Sequence, residues 1–170
     1  AAMLSDNESS DPVAEQQAME QLIVYNERLA RGAAVFEKRS DNLLATLDRF
    51  SLDLGASSAS IDSYIKNGFG CVLDLGSDDL FFNVKGQAYA YRLILKALRK
   101  DFSEIIATRD IATSWDEMEG SFDSIIAMDP IIVSNCDVDG FIFQNHLSAQ
   151  GFYLLRARTQ LKEITNILLK

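Results

Sequence analysis

Leu22, Leu29, Phe36, Leu43 and Phe50 fall seven residues apart, and the positions four on are Asn26, Ala33, Ser40, Leu47 and Leu54. A seven-residue apolar period predicts a long helix with a near-parallel packing seam. Its companion row begins polar and small, which favours packing inside an antiparallel bundle over a free coiled coil. Asp11-Pro12 is a good start for this helix, with Asp as cap and Pro at the first helical position, and Gly55 is its expected end. Ser57 to Lys66 reads as a short helix closed by Asn67-Gly68, and residues 69–77 as a loop or short extended piece. The series Leu80, Phe81, Val84, Ala88, Tyr91, Leu95, Leu98, Phe102, Ile105 is one-sided at 3.6 residues per turn and predicts a second long helix behind Ser77-Asp78-Asp79. Thr113 or Ser114 is expected to cap a third, carrying Trp115, Met118, Phe122, Ile125 and Ile126 and stopped at Asp129-Pro130.

Ile131-Ile132-Val133 and Phe141-Ile142-Phe143 flank the turn-rich SNCDVDG and predict a small β-hairpin near residues 131–143. Asn145 then caps a last helix whose Leu147, Leu154, Leu161 and Leu168 are seven apart. The fold class expected is therefore mainly all-α: a bundle of three to four long helices, one short helix and one hairpin. Residues 1–11 are polar and aperiodic and are expected to be disordered, with 12–170 forming one bundle domain. Leu29, Phe36, Leu43, Leu95, Leu154 and Leu161 are the expected core.

Composition adds an acidic bias. The chain has 170 residues and a net charge of −9, and 48% of it is hydrophobic, enough for a real core. Residues 1–27 and 110–155 carry no Lys or Arg at all. So acidic a surface repels phosphate backbones and argues against nucleic-acid partners. Cys71 and Cys136 are compatible with either redox compartment, and their spacing does not require a disulfide.

The stretches VYNERLARGAAVFEKRSDNLLATLDR (24–49), FFNVKGQAYAYRLIL (81–95) and NHLSAQGFYLLRARTQLKEITNILL (145–169) resemble an uncharacterised bacterial family, a domain of unknown function in Gram-negative envelope proteins. The resemblance runs from about residue 12 to the end. It implies a periplasmic domain tied to the inner membrane by an N-terminal span lying before Ala1-Ala2-Met3, which is not a native start. That family has no established activity, so no catalytic residue is carried over, and no cofactor is expected.

The sharpest chemical candidate is the loop Asn135, Asp137, Asp139, with Gly140 at position six and Ile142 at position eight of a calcium-loop-like pattern. Position twelve, where a bidentate Glu belongs, is His146, so an Asx-rich turn is the plainer reading and millimolar binding the most expected of it. His146 is the single histidine, too few for a histidine-built zinc site. Cys136 with His146 forms a poor nucleophile pair because Asp137 and Asp139 oppose a thiolate. Arg158 borders the apolar row of the last helix and is expected to snorkel or to pair with an acid of the 110–139 stretch. Arg156, Arg158, His146, Tyr89 and Tyr91 form the possible interaction or ligand surface. The function expected is a non-enzymatic interaction or scaffold domain with a protein partner. A ligand-sensing bundle with a cavity between helices is the alternative, and a hydrolase the second.

Overall fold

A computed structural model describes residues 12–67, 71, 75–136 and 144–170. The expected disorder of 1–11 falls outside them. Six helices are described: α1 (Pro12–Ala30), α2 (Ser40–Asn67), α3 (Leu75–Asp101), α4 (Ser103–Thr108), α5 (Ala112–Ala127) and α6 (His146–Leu168). The chain divides into two compact units, residues 1–37 and 38–170.

In the first unit, Pro12 opens α1 as its sequence position predicts. The expected single helix from 12 to 54 is corrected here, because the chain reverses at Gly32. Gly32 takes φ +69°, and its N–H donates to Leu29 O (3.0 Å) while Ala33 N–H donates to Arg28 O (2.8 Å). These two bonds close the last turn in the left-handed capping geometry that glycine adopts without steric cost. The heptad is therefore divided. Leu22 is 62% and Phe36 41% exposed, Leu29 is half-buried, and only Leu43 and Phe50 reach a core. A periodic row records apolar spacing, but the reversal interrupts the helix that would have carried it as one stripe.

In the second unit, α2 runs straight through Gly55, the expected stop, and takes in the short helix expected at 57–66. Leu47, Leu54 and Ile61 continue a seven-residue row across the glycine, and all three are fully buried. That burial outweighs the roughly 1 kcal/mol of helix propensity a mid-helix glycine costs. α3 contributes Phe81, Val84, Ala88 and Leu95 to the core and ends at Asp101, earlier than its apolar series. Phe102 turns the chain into the single short turn of α4, burying itself and Ile106. Asp110, at φ 53°, redirects the chain into α5, whose start at Ile111–Ala112 has no side-chain cap, so Thr113 and Ser114 do not serve as one. Trp115, Met118, Phe122 and Ile125 of α5 meet Leu147, Leu154, Leu161 and Leu168 of α6 within one buried cluster.

α6 is the centre of this unit, packed against α2 on one side and α5 on the other, with α3 laid on α5. α2 and α6 are antiparallel, since Gly55 faces Arg158 while Ile61 faces Gly151. Buried polar side chains fix the register. Gln150 Nε2 donates to Phe81 O (3.0 Å), and Ser121 bonds Gln160 (2.7 Å) between α5 and α6.

The expected hairpin is not supported: among the described residues there is no strand, and Ile131 to Cys136 is irregular chain. Its backbone groups bond elsewhere. Val133 N–H donates to Asp78 Oδ1 (3.3 Å), Asn135 N–H to Cys71 O (3.1 Å), and Ser134 O accepts from His146 N–H (3.0 Å). Ile131 is fully exposed and Val133 buried, so the β-branched run holds one apolar anchor and no pleated face. The expected second arm, 141–143, lies outside the described residues.

Candidate functional site

The segment entering α6 gathers most of the residues that the sequence singled out. Asn145 caps the helix as expected, accepting from Ser148 N–H at 2.8 Å. Its amide nitrogen donates to Asn135 Oδ1 (3.0 Å) and to Cys136 O. Asn135 in turn reaches Tyr64 O (3.5 Å) on α2. One of the three candidate calcium ligands is thus engaged in the wall of the α6 entry. Asp137 and Asp139 lie outside the described residues.

Cys71 and Cys136 form a disulfide, closing a separation of 65 residues and joining the α2–α3 connection to the segment before α6. The bond removes any thiol from Cys136. His146 Nδ1 accepts from Ser134 N–H (3.1 Å) and sits 2.8 Å from Ser134 Oγ, which also donates to Gln144 O. With Nδ1 an acceptor, the neutral ring carries its proton on Nε2. This histidine is a fastener of the loop to the helix start.

The other candidates are placed apart. Tyr89 is 54% exposed on α3. Tyr91 stacks on Phe50 (centroids 4.4 Å apart) and donates to Asp53 Oδ2 at 2.9 Å. Burial, with the Asp53 carboxylate beside it, pushes its phenol above the usual tyrosine value. Arg156 lies in a shallow hollow against α5 with Glu117 and Ser124. Arg158 faces α2 instead and pairs with none of the described acids of 110–136, while Asp137 and Asp139 lie outside the described residues. Three acids of that stretch are taken by α3: Arg92 bonds Asp123 (2.8 Å) and Glu119 (3.2 Å), and Arg99 bonds Asp116 and Glu119 (2.9 Å). Glu119 is only 8% exposed and is held between two guanidinium groups, which satisfies a carboxylate that could not be buried alone. The charge asymmetry in sequence foretells such pairing, and only the packing of α3 on α5 selects the partners.

The first unit adds α1, whose apolar side chains are exposed along its length. It buries none of its residues. Met19, Leu22, Ile23, Val24 and Tyr25 are all exposed, and Ala18, Leu22, Tyr25 and Leu29 follow a 4-3-4 spacing. Glu15, Glu20 and Glu27 lie on the same helix with Arg28 as its one base.

The fold and these sites define a disulfide-stapled helical bundle with an apolar, acidic helix in its first unit. Residues 74–170 match the family described as an uncharacterized protein conserved in bacteria (DUF2333), and the chain belongs to that family. The match spans α3 to α6 and includes the stretches 81–95 and 145–169, whereas 24–49 lies before it. No curated protein and no solved structure matches. Among the described residues no helix is long and apolar enough to cross a membrane.

Proposed function

We propose that this protein is a non-enzymatic interaction domain of the bacterial envelope, working on the oxidising side of the inner membrane through α1. The observation that carries the reading is the exposure of α1: Val13, Met19, Leu22, Ile23, Val24 and Tyr25 all stand exposed, and no residue of the helix is buried. Apolar surface of this extent on one element is characteristic of a partner-binding face. Its 4-3-4 spacing fits a second helix laid along it. Three glutamates against one arginine favour a helix with basic flanks and disfavour a second copy, which would set acid against acid. The Cys71–Cys136 disulfide supports the address, because such bonds persist in the periplasm and are reduced in the cytosol. An anchor preceding this chain would hold the domain at the membrane.

Two experiments test the reading. A photo-crosslinking residue at Leu22 in living cells should join the chain to one envelope protein with a basic helix, and Tyr25→Asp should abolish the adduct. No adduct, or an adduct solely with a second copy, would overturn the partner. The Cys71–Cys136 bond should be oxidised in protein trapped with a thiol alkylator, and a fully alkylated pair would overturn the location.

A further inference from the structure

A groove of about 270 Å³ lies between α2 and α6 in the second unit, bounded by Ser58, Ile61, Asp62, Phe152, Leu155 and Arg158 among others. Two of its polar groups are anomalous. Arg158 Nε and Ser58 Oγ are both buried, and among the described residues neither has a hydrogen-bond partner. Buried guanidinium N–H groups are ordinarily satisfied, since leaving one unmade costs about 1–3 kcal/mol. Neighbouring Ser57 and Ser60 bond the carbonyl four residues back, whereas Ser58 does not.

The position of Arg158 is built by the backbone of α2. A Cβ on Gly55 would stand 3.1 Å from Nη2, 3.4 Å from Cζ and 3.6 Å from Nε, so the planar group lies flat against the one residue of that turn that lacks a side chain. Farther along, Gly151 brings α6 close to Ile61, whose methyl would be 3.3 Å from a Cβ there. Ile61 is fully buried beneath the groove, and Phe152 (61% exposed) and Leu155 (57%) stand up along its α6 edge.

We infer that the α2–α6 groove is a binding site for a small organic carboxylate, with Arg158 and Ser58 receiving the carboxylate and Ile61, Phe152 and Leu155 its apolar body. A carboxylate matches the planar donor fork of arginine and its single charge. A phosphate dianion would bring two negative charges to one cation in a groove that the Asp62 carboxylate also lines. The volume suits a body of ring or short-chain size and not a long acyl tail. The site uses no residue of α1, so it stands or falls independently of the α1 interface.

The test uses 3-phenylpropionate as probe, titrated into the isotope-labelled protein while its arginine Nε–H and backbone amide signals are followed. Saturable shifts centred on Arg158 Nε–H and on the amides of Gly55, Ser58 and Gly151 are expected. 3-Phenylpropanol, which lacks the charge, should bind roughly ten- to a hundredfold more weakly, the loss of a charge-assisted hydrogen bond. Arg158→Leu should weaken the acid by a similar factor. Gly55→Ala, which pushes the guanidinium off the helix while leaving its charge, should weaken it too without loss of folding. Inorganic phosphate should not compete, and decanoate should bind no better than the probe. Absent shifts at millimolar probe, equal binding by the alcohol, unchanged affinity in both variants, competition by phosphate or a strong preference for decanoate would each overturn the assignment.

Discussion

Gly55 of α2 lies directly beneath the guanidinium of Arg158 of α6, with Nη2 3.1 Å from where a glycine-to-alanine methyl would stand. Gly151 of α6 meets α2 in the reciprocal manner, but its neighbour is a methyl of the fully buried Ile61 at 3.3 Å. The two glycines are equivalent in sequence and different in consequence. Arg158 presents the flexible end of a long side chain, whereas Ile61 is stiff and enclosed. Gly55→Ala should therefore keep most of the helix-propensity gain and raise unfolding free energy by about 0.5–1 kcal/mol. Gly151→Ala should leave it at or below wild type. Denaturant melts of the two variants in parallel check the ranking, and a reversed order would sink it.

Leu154 is fully buried on α6, and Leu154→Ala should cost roughly 2–5 kcal/mol. Leu22→Ala, at a position 62% exposed, should stay within about 0.5 kcal/mol. Comparable losses at both sites would mean that α1 is buried in solution.

Glu119 is shared by Arg92 and Arg99, but each arginine keeps a second acid, Asp123 or Asp116. Glu119→Gln should thus destabilise by only about 1–3 kcal/mol, largely through the hydrogen bonds weakened at a mostly buried carboxylate. Because Glu119 is mostly hidden, the loss should persist in high salt, unlike that of an exposed pair. A loss that vanished with salt would contradict the enclosure.

The raised phenol of Tyr91 gives a signed pH dependence. Folding favours its protonated form, so that contribution is complete below the ordinary tyrosine value and is lost as pH climbs from there through the raised folded value. Tyr91→Phe should cost about 1 kcal/mol at neutral pH through the lost bond to Asp53, and should flatten part of the alkaline decline. An identical alkaline profile in the variant would refute the shift.

Reduction of Cys71–Cys136 releases a constraint spanning 65 residues and should lower stability by about 2–4 kcal/mol. Thermal melts with and without reductant, compared with Cys71→Ser/Cys136→Ser, measure it. Equal melting in all three states would show that the bond constrains little.

The heptad of Leu147, Leu154, Leu161 and Leu168, its Asn145 cap, and the apolar faces at Phe81–Leu95 and Trp115–Ile125 were legible because each is a local rule: a period matched to one helix and a side chain matched to orphan N–H groups. The sequence by itself therefore determined a mainly helical class and most of the core. Where it misled, two local signals competed. A glycine can end a helix or lie inside one, and Gly32 ends α1 while Gly55 is crossed by α2, because Leu54 and Ile61 have a core to enter and Leu22 has none. Ile131 to Val133 carries strand residues, yet the backbone bonds of Val133, Ser134 and Asn135 go to Asp78, His146 and Cys71, none of them on a neighbouring strand. The groove of Arg158 and Ser58 was not legible at all. A serine and an arginine 100 positions apart acquire a joint property only when two antiparallel helices bring them to one groove, and that Ser58 Oγ and Arg158 Nε lack partners among the described residues is a fact of packing that no spacing encodes.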